Sequence, residues 1–312
     1  MADLASLIHR ATKKKLKAVV AIQGFAGSGK TWSALVLASG LGEKTLLIDT
    51  EHRSAEMYAD HFTFDHLPLD PPYSPTRYIE AIRAGEKLGY DVIVIDSLSH
   101  AWMGSGGVLD IQHEATMKSS SKNSYMAWGI ATPEQNKLLD VIVNRDTSRH
   151  LIATLRTKAE YEQTRVDGKV KIEHIGTTPI QREGVPFEFD LVFELSQEHL
   201  ASVVFKDRTK LFENKPPFMI TQEHGNQLKV YLDEGEEPMP ATIKDKATLI
   251  TEINNITTFK ELVAWNNTND ANINILPDED KAGVVKARAD RKETLLGGQT
   301  KGGTTGTNPQ KT

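Results

Sequence analysis

Short apolar runs rich in β-branched residues recur over the first 240 residues and alternate with segments of helical periodicity. The runs that predict strands cover residues 19–23, 45–49, 64–69, 92–96, 150–155, 190–195 and 202–205. The helical segments cover residues 32–40, 75–88 and 133–144. Apolar strands that alternate with helices are typical of parallel sheets covered by helices on both faces. The pattern therefore predicts an α/β fold with a mainly parallel central sheet.

The pattern changes at Asp233–Pro240, an acidic stretch with two prolines that indicates a linker. Short helices are predicted beyond it, over residues 243–253, after the capping box Thr258–Glu261, and over residues 278–295. The predicted domains are a basic leader (1–17), the α/β core (18–235), a small helical module (241–296) and a disordered Gly/Thr/Gln-rich tail (297–312). The leader is either a surface helix with a solvated basic end or a docking segment for a neighbouring subunit or an anionic partner.

Charge and composition exclude several classes of protein and of binding site. The 312 residues have a net charge of −5 and include no cysteine. The charge excludes a globally basic nucleic-acid coat, so any nucleic-acid site must be a local basic surface. The lack of cysteine excludes disulfides and cysteine-ligated zinc and suits a reducing compartment. No apolar run approaches the roughly 20 residues of a membrane span, so we predict a cytoplasmic protein that does not bind membranes.

A glycine-rich turn follows the first predicted strand and ends in Gly-Lys-Thr. Its residues are Gly24, Phe25, Ala26, Gly27, Ser28, Gly29, Lys30 and Thr31. This is the G-x-x-x-x-G-K-[ST] phosphate-binding loop, in which backbone N–H groups surround phosphate oxygens, the lysine reaches the β- and γ-phosphates and the hydroxyl binds Mg²⁺. A strand before it and a helix after it are the context that this motif requires. The loop therefore predicts a site for a nucleoside triphosphate, taken as ATP, with Mg²⁺.

Carboxylates follow two of the other predicted strands. Asp96 ends the strand 92–96, and in phosphate-loop enzymes such an aspartate holds Mg²⁺ together with the loop hydroxyl, here that of Thr31. Asp49 and Glu51 end the strand 45–49. A carboxylate at that place can orient or deprotonate the water that attacks the γ-phosphate. Spacing alone does not choose between Asp49 and Glu51.

Three segments resemble corresponding segments of RecA-type recombinases, namely Ile48–His52, the strand that ends at Asp96 and Ser202–Arg208. Residues 18–215 as a whole are similar to the short phage-encoded RecA-like ATPases of single-strand annealing and recombination. Residues 156–161 and 179–184 are among the features shared with that group. The resemblance implies a RecA-like P-loop NTPase core with Glu51 as the catalytic carboxylate. It further implies that Lys206 and Arg208 act as cations on the nucleotide of a neighbouring subunit, as arginine fingers do.

The same resemblance implies partners and a location. It implies a homo-oligomer, as a ring or short filament, that binds single-stranded DNA and a phage single-strand-binding protein in the host cytoplasm. Thr154 stands where RecA has a glutamine that senses the γ-phosphate and couples it to the DNA loop. We therefore expect this coupling to act through Arg156 or Lys158, or to be weaker than in RecA.

The alternatives for the function are a helicase-type motor, an ATP-gated loader for DNA replication and a small-molecule kinase. The kinase is disfavoured because Glu51 and the two cations suit water as the nucleophile.

Two long segments, 104–129 and 156–184, are predicted as the loops that contact DNA. Their basic candidates are Lys118, Lys122, Arg156, Lys158, Lys169, Lys171 and Arg182. Such side chains neutralise phosphates, and Tyr125, Trp128 and Tyr161 offer surfaces on which bases stack. Around residues 166–170 the second segment also has the pattern of a β-hairpin with a tight turn, so a purely structural hairpin is the alternative.

Overall fold

The structure is a computed structural model that describes residues 10–144, 147–166, 169–236, 245–274 and 276–297. For residues 161–166 and 169–175 the structure describes the backbone but not the side chains. The chain divides into two compact units, Met1–Gly235 and Glu236–Thr312. The first nine residues of the predicted leader and residues 298–312 of the predicted tail lie outside the described residues.

The first unit is built on one sheet. Its strands are β1 (Val19–Gly24), β2 (Thr45–Asp49), β3 (Asp65–Pro68), β4 (Val92–Asp96), β5 (His150–Val166), β6 (Lys169–Pro179), β7 (Leu191–Leu195) and β8 (Ala201–Asp207). The strand order is β3-β2-β4-β5-β1-β7-β8, with β6 paired to β5. Along the order β3-β2-β4-β5-β1-β7 each strand is parallel to the next, and β8 is antiparallel to β7. The predicted α/β fold with a mainly parallel sheet is confirmed.

Helices cover both faces of this sheet. They are α1 (Lys30–Leu41), α2 (Pro75–Lys87), α3 (Ser99–Met103), α4 (Val108–Lys118), α5 (Ser124–Ile142) and α6 (Gln222–Asp233). Because alternate residues of a strand point to opposite faces, Val20 and Ile22 of β1 pack with α1 and α6, whereas Val19 and Ala21 pack with α2 and α5. Within the described part of the chain, no helix is long and apolar enough to cross a membrane.

Helices α1 and α6 cross at a pair of glycines. A Cβ on Gly40 would lie 2.2 Å from the carbonyl oxygen of Gln222, and a Cβ on Gly225 would lie 2.4 Å from that of Leu37. Any side chain at either position would therefore push the two helices apart. The contact fixes α1, whose first residue is Lys30 of the phosphate loop, against the last helix of the unit.

The prediction of a long loop over residues 104–129 is wrong. The segment contains α4 and the first turns of α5, which begins at Ser124 rather than at Pro133. The side chain of Asn123 accepts hydrogen bonds from the backbone N–H groups of Tyr125 and Met126, at 2.9 and 3.3 Å, and so caps α5. Pro133 lies inside this helix. The polar residues 119–123 form a tight turn between α4 and α5, whereas their polarity had suggested part of a long loop.

Residues 156–184 mostly form a β-hairpin. Strand β5 was predicted to end at Leu155, but it continues past the sheet to Val166. Beyond Arg156 its partner is the antiparallel strand β6, from the pair Thr157–Pro179 to the pair Val166–Lys169. The predicted β-hairpin is therefore present.

The described part of the leader, residues 10–17, contains no helix. The backbone N–H of Leu16 donates to the carbonyl of Leu232 at 3.2 Å. The ammonium of Lys13 lies 2.9 Å from the Glu234 carboxylate and 3.8 Å from the ring centre of Tyr231. These residues thus pack along the end of α6.

The second unit consists of α7 (Lys246–Asn255), α8 (Phe259–Asn274) and α9 (Asp278–Gly297). Its small core contains Leu249, Ile253, Ile273 and Val284. The predicted capping box is present, because Thr258 Oγ1 accepts from the Glu261 N–H at 3.2 Å and the Glu261 carboxylate accepts from the Thr258 N–H at 3.1 Å. The predicted helices at the C-terminal end are therefore confirmed.

Candidate active site

The glycine-rich loop connects β1 to α1 and places the N-terminus of α1 at one wall of a pocket. Gly27 and Gly29 both have φ of +81°, in the left-handed region that favours glycine. Gly24 is required for a different reason, since a Cβ there would lie 2.5 Å from Ser28 Oγ. That hydroxyl is buried and has no hydrogen-bond partner among the described residues. Glycines and an unpaired buried hydroxyl in this turn fit a loop that closes around phosphate oxygens.

Lys30 lies at the base of this loop. Its Nζ donates a hydrogen bond of 2.7 Å to the carbonyl oxygen of Phe25. Burial lowers the pKa of Lys30, and the negative charges of Asp96 and Glu51 oppose that effect only in part. The ammonium is thus already inside the pocket, on the side where the two carboxylates lie. Phe25 is half-buried, and Ala26 and Gly27 form the exposed edge of the loop.

Three side chains converge at the end of β4. Asp96 Oδ2 accepts from Thr31 Oγ1 at 2.6 Å, and Oδ1 accepts from Thr154 Oγ1 at 2.5 Å. Burial raises the pKa of Asp96, although the two threonine hydroxyls favour its charged form. A carboxylate beside a hydroxyl is a donor set of the type that Mg²⁺ prefers. Asp96 and Thr31 therefore fit the metal site that the sequence predicted.

The two candidate carboxylates at the end of β2, those of Asp49 and Glu51, have different surroundings. Asp49 is buried, and its oxygens accept from the backbone N–H groups of Glu51 at 2.6 Å and Ala55 at 3.3 Å. Its Oδ2 also lies 3.0 Å from His66 Nε2. Glu51, in contrast, lines the pocket together with Lys30, Thr31 and Asp96. Asp49 thus holds the turn that carries Glu51, and Glu51 is the carboxylate that faces the nucleotide site.

Glu51 forms a bidentate ion pair with Arg156. Arg156 Nε donates to Oε1 at 2.8 Å, and Nη2 donates to Oε2. Burial raises the pKa of Glu51, but the hydrogen bonds and positive charge of Arg156 outweigh burial and keep that pKa below its usual value. Arg156, predicted as a DNA contact, therefore lies in the nucleotide pocket. It is also the residue at which β5 leaves the sheet and the hairpin begins.

A second link joins the hairpin to the phosphate-loop strand. Thr177 Oγ1 of β6 donates to Glu194 Oε1 at 2.5 Å, and Gln23 Nε2 of β1 donates to Glu194 Oε2 at 2.9 Å. Gln23 is the residue before Gly24. Both strands of the hairpin are thus hydrogen-bonded to residues beside the nucleotide pocket.

The pocket has a volume of about 580 Å³. Its lining includes residues that the sequence analysis did not select, namely Trp32, Ser54, Tyr58, His199, Met219 and Ile220. Trp32 directly follows the phosphate loop and has edge contacts with Tyr58 and Phe62, with ring centres 5.7 and 4.8 Å apart. Its position after Thr31 was an available signal. His199 and Met219 come from distant turns, and no motif marks them.

Lys206 and Arg208 are not among the residues that line the pocket. They lie at the end of β8, the outermost strand of the sheet on this side. Lys206 Nζ donates to the carbonyl oxygen of Phe187. The exposed Arg208 guanidinium lies 3.5 Å from the Asp190 carboxylate. Within one chain, these cations and the phosphate loop do not share a pocket.

The other predicted DNA contacts lie on several elements. Lys118 ends α4 and pairs with Glu114 at 2.9 Å, and Lys122 lies in the turn before α5. Lys158 is exposed on β5, and Arg182 Nη1 donates to Asn136 at 3.1 Å. Lys169 and Lys171 belong to the distal half of β6, but their side chains lie outside the described residues, as does that of Tyr161.

Arg182 also lines an open aromatic groove of about 990 Å³. Trp102, Tyr125, Trp128 and Phe187 are among its walls. The two indoles stack with their centres 5.7 Å apart and their planes 17° apart, while Tyr125 is largely exposed. The groove therefore offers flat aromatic faces next to one guanidinium.

The fold and the pocket together define a P-loop ATPase-type domain, in which the phosphate loop after β1, Asp96 at the end of β4 and the Glu51 carboxylate face one site. A family model described as an AAA domain matches residues 16–227, and the chain belongs to that family. A comparison with curated proteins gives no match.

Proposed function

We propose that this protein is a RecA-like ATPase, encoded by a phage, that acts on single-stranded DNA in recombination or strand annealing. The observation that carries the proposal is the position of the Glu51 carboxylate, which lines the same pocket as Lys30, Thr31 and Asp96 and is bonded to the first residue of the hairpin. One side chain thus contacts both the nucleotide site and the element proposed to sense DNA.

Each side chain has a separate part in ATP hydrolysis. Glu51 orients a water for in-line attack on the γ-phosphate and accepts its proton, and its lowered pKa keeps it ionised at neutral pH. Lys30 places a positive charge beside the phosphate oxygens, so it stabilises the charge that spreads over them in the transition state. Thr31 and Asp96 would hold Mg²⁺, which neutralises charge on the β- and γ-phosphates.

The contacts of Arg156 support a connection between hydrolysis and DNA. Glu51 must present its carboxylate to water during hydrolysis, and this carboxylate is shared with Arg156. A change in that ion pair alters the first residue of the hairpin, whose distal half carries Lys169 and Lys171. Single-stranded DNA is expected on the hairpin and on the aromatic groove, where bases stack and Arg182 contacts phosphates.

The proposal includes an oligomer with ATP between subunits. Lys206 and Arg208 lie away from the pocket of their own chain, on an edge strand that a neighbouring subunit can approach. In a ring or short filament they would stabilise charge on the γ-phosphate bound to the next subunit. A phage single-strand-binding protein and the host cytoplasm complete the proposed setting.

The test is the steady-state ATPase rate without DNA, with single-stranded DNA and with duplex DNA. We expect single strands to stimulate turnover severalfold and duplex DNA to have little effect. Lys30→Ala should abolish turnover under every condition. Glu51→Gln should retain ATP binding and lower kcat by a factor of about 10² to 10⁴, the usual contribution of a general base. A rate that single strands leave unchanged would contradict the DNA part of the proposal.

Asp49→Asn serves as the control for Glu51→Gln, because it removes a neighbouring negative charge that does not line the pocket. An amide cannot accept all the hydrogen bonds that Asp49 accepts, so this variant should lose about 1–3 kcal/mol of stability and keep measurable turnover. If Asp49→Asn abolishes hydrolysis while Glu51→Gln does not, the catalytic assignment is reversed.

An ATP-gated loader for DNA replication is the second candidate. The observation that favours it is the same ion pair, since a carboxylate held in two hydrogen bonds by Arg156 is not free to bind water. Such a protein would bind ATP tightly and hydrolyse it slowly even with DNA. A motor of the helicase type predicts the opposite, namely rapid turnover with unwinding of duplex DNA.

A further inference from the structure

The segment 51–58 carries Glu51 at its start and ends in a short 3₁₀ helix, Ser54–Tyr58. Glu51 and both ends of this helix line the nucleotide pocket, so the segment forms one of its walls. His52 and Arg53, which follow Glu51, have φ of 58° and 65°. Left-handed backbone of this kind is unfavourable in residues other than glycine and persists where the surrounding structure holds it. The position of Glu51 therefore depends on contacts from outside the segment.

Two of these contacts come from His66, the second residue of β3. Its Nε2 lies 3.0 Å from Asp49 Oδ2, and its Nδ1 lies 3.1 Å from Glu56 Oε1. Asp49 accepts from the backbone N–H of Glu51, and Glu56 belongs to the 3₁₀ helix. One imidazole thus joins β3 to the residue that holds Glu51 and to the helix that follows Glu51.

The two partners of His66 differ in burial. The Asp49 side chain is fully buried, whereas that of Glu56 is 55% exposed. A buried carboxylate is costly unless hydrogen bonds and opposite charge compensate it. The backbone N–H groups of Glu51 and Ala55 donate to Asp49, and the imidazole adds a contact from a side chain. Loss of the imidazole would leave Asp49 less compensated and less firmly placed, together with the turn that it holds.

We propose that His66 is a positioning residue for hydrolysis, which acts through Asp49 and Glu56 to hold the Glu51 carboxylate at the nucleotide pocket. This inference rests on the proposed function, in which Glu51 orients the attacking water. A misplacement of about 1 Å can lower a catalytic rate by about 100-fold, so a looser segment 51–58 lowers kcat. His66 is not among the described residues that line the pocket, and the phosphate loop stays intact without it. Its loss should therefore change the KM for ATP less than kcat.

The first test compares kcat and KM for ATP in the wild type, His66→Ala and His66→Gln. We expect His66→Ala to lower kcat about tenfold and to change KM less than twofold. The glutamine amide can donate to Asp49 from the position of Nε2, so His66→Gln should recover part of the lost kcat. A wild-type kcat in His66→Ala, or the same low kcat in both variants, would overturn the proposal.

His150→Ala is the control for a loss of stability alone. His150 is also a buried histidine with a hydrogen bond, from the Ala18 N–H, but it is not among the described residues that line the pocket. This variant should unfold at a lower temperature than the wild type and keep its kcat within twofold. A fall in kcat equal to that of His66→Ala would show that general destabilisation, and not the position of Glu51, explains both variants.

Glu56→Ala tests the second contact from an exposed position, where a substitution should not prevent folding. We expect it to lower kcat about threefold in the wild-type background and to cause no further loss in the His66→Ala background, because residues that act through one contact are not additive. Asp60→Ala is the matched control, since it makes the same charge change at an exposed residue just after the same helix and should leave kcat unchanged. Equal losses from Glu56→Ala in both backgrounds would contradict an action through His66.

Amide hydrogen exchange separates this inference from the proposed function, because it requires no turnover. In a peptide that covers residues 51–58, exchange should be at least tenfold faster in His66→Ala than in the wild type and in His150→Ala. The same rate in His66→Ala and the wild type would overturn the inference whatever the ATPase activity. A wild type that shows this difference but does not hydrolyse ATP would overturn the proposed function and still support His66 as the residue that holds the segment.

Discussion

Glu51 and Arg156 meet in the pocket although 105 residues separate them along the chain. Two effects of opposite sign act on Glu51, since burial raises its pKa and Arg156 lowers it. A general base must be ionised to work. The guanidinium thus keeps a partly buried carboxylate charged, while the same hydrogen bonds restrict its access to water.

Arg156→Gln should therefore change the pH dependence of hydrolysis. Without the guanidinium only the raising effect of burial and the weaker effects of His100 and Lys30 remain, so the pKa of Glu51 rises. We expect the acidic limb of the kcat–pH profile to move to higher pH, with the variant most impaired at acidic pH. The measurement is kcat from pH 5 to 8 at saturating ATP. An acidic limb that stays in place would show that Arg156 does not set the ionisation of Glu51.

His150 sets a pH dependence of stability rather than of activity. It is buried, its Nδ1 accepts from the Ala18 N–H at 2.9 Å, and burial lowers its pKa to about 3. Between about pH 6.5 and pH 3 the unfolded chain binds a proton that the folded protein does not, so the free energy of unfolding falls as the pH falls. From pH 7 to pH 5 this group should remove about 2 kcal/mol.

His150→Asn tests this effect, because its Oδ1 can accept from the Ala18 N–H but does not titrate. Urea unfolding at pH 7 and pH 5 should show a smaller loss of stability for the variant than for the wild type. If both proteins lose stability equally between the two pH values, His150 is not the group responsible.

At the scale of elements, the hairpin of β5 and β6 extends from the sheet as a two-stranded ribbon. Its pairs beyond Arg156 join β5 and β6 alone. Isolated ribbons contribute little to global stability, yet this one is linked to the nucleotide site by Arg156 at one base and by Thr177 at the other. Its role is therefore expected in coupling rather than in folding.

Replacement of residues 162–173 by Asn-Gly should separate these roles. The dipeptide forms the tight turn that joins two antiparallel strands, and Tyr161 and His174 are already paired. We expect the melting temperature to stay within about 3 °C of the wild-type value, since the removed backbone pairs join β5 to β6, and stimulation of the ATPase by single-stranded DNA to be lost. Stimulation that persists in this variant would move the DNA site to the aromatic groove.

Elements were predictable where the local pattern decides them, and not where tertiary contacts do. Strands β1, β2, β4 and β7 are mostly apolar and buried and stand out in the sequence, as does the phosphate loop with Lys30 and Thr31. The continuation of β5 past Leu155 is polar and depends on pairing with β6. The first turns of α5 depend on the Asn123 cap, and Pro133 inside the helix gave the opposite signal. Arg156 and His199 reach the pocket only through the three-dimensional fold.

At the scale of the whole molecule, the pocket and the two cations of β8 lie apart in one chain. A subunit with Glu51→Gln keeps its own Arg208, and a subunit with Arg208→Ala keeps its own Glu51. If the site is shared between neighbours, mixed oligomers contain some interfaces with both wild-type groups. Mixing the two inactive variants should then recover part of the ATPase activity, with a maximum near equal amounts. No recovery at any ratio would count against cations that act in trans.

The crossing of α1 and α6 bears on how the protein can be divided. Leu228 and Leu232 of α6 cover Leu37 and Leu41 of α1, and Gly40 fits against Gly225. A fragment that ends at Thr221 would leave one face of the helix behind the phosphate loop uncovered, and it should aggregate or lose nucleotide binding. A soluble fragment for crystallography or binding assays therefore has to extend through Asp233, beyond residue 227 where the family match ends.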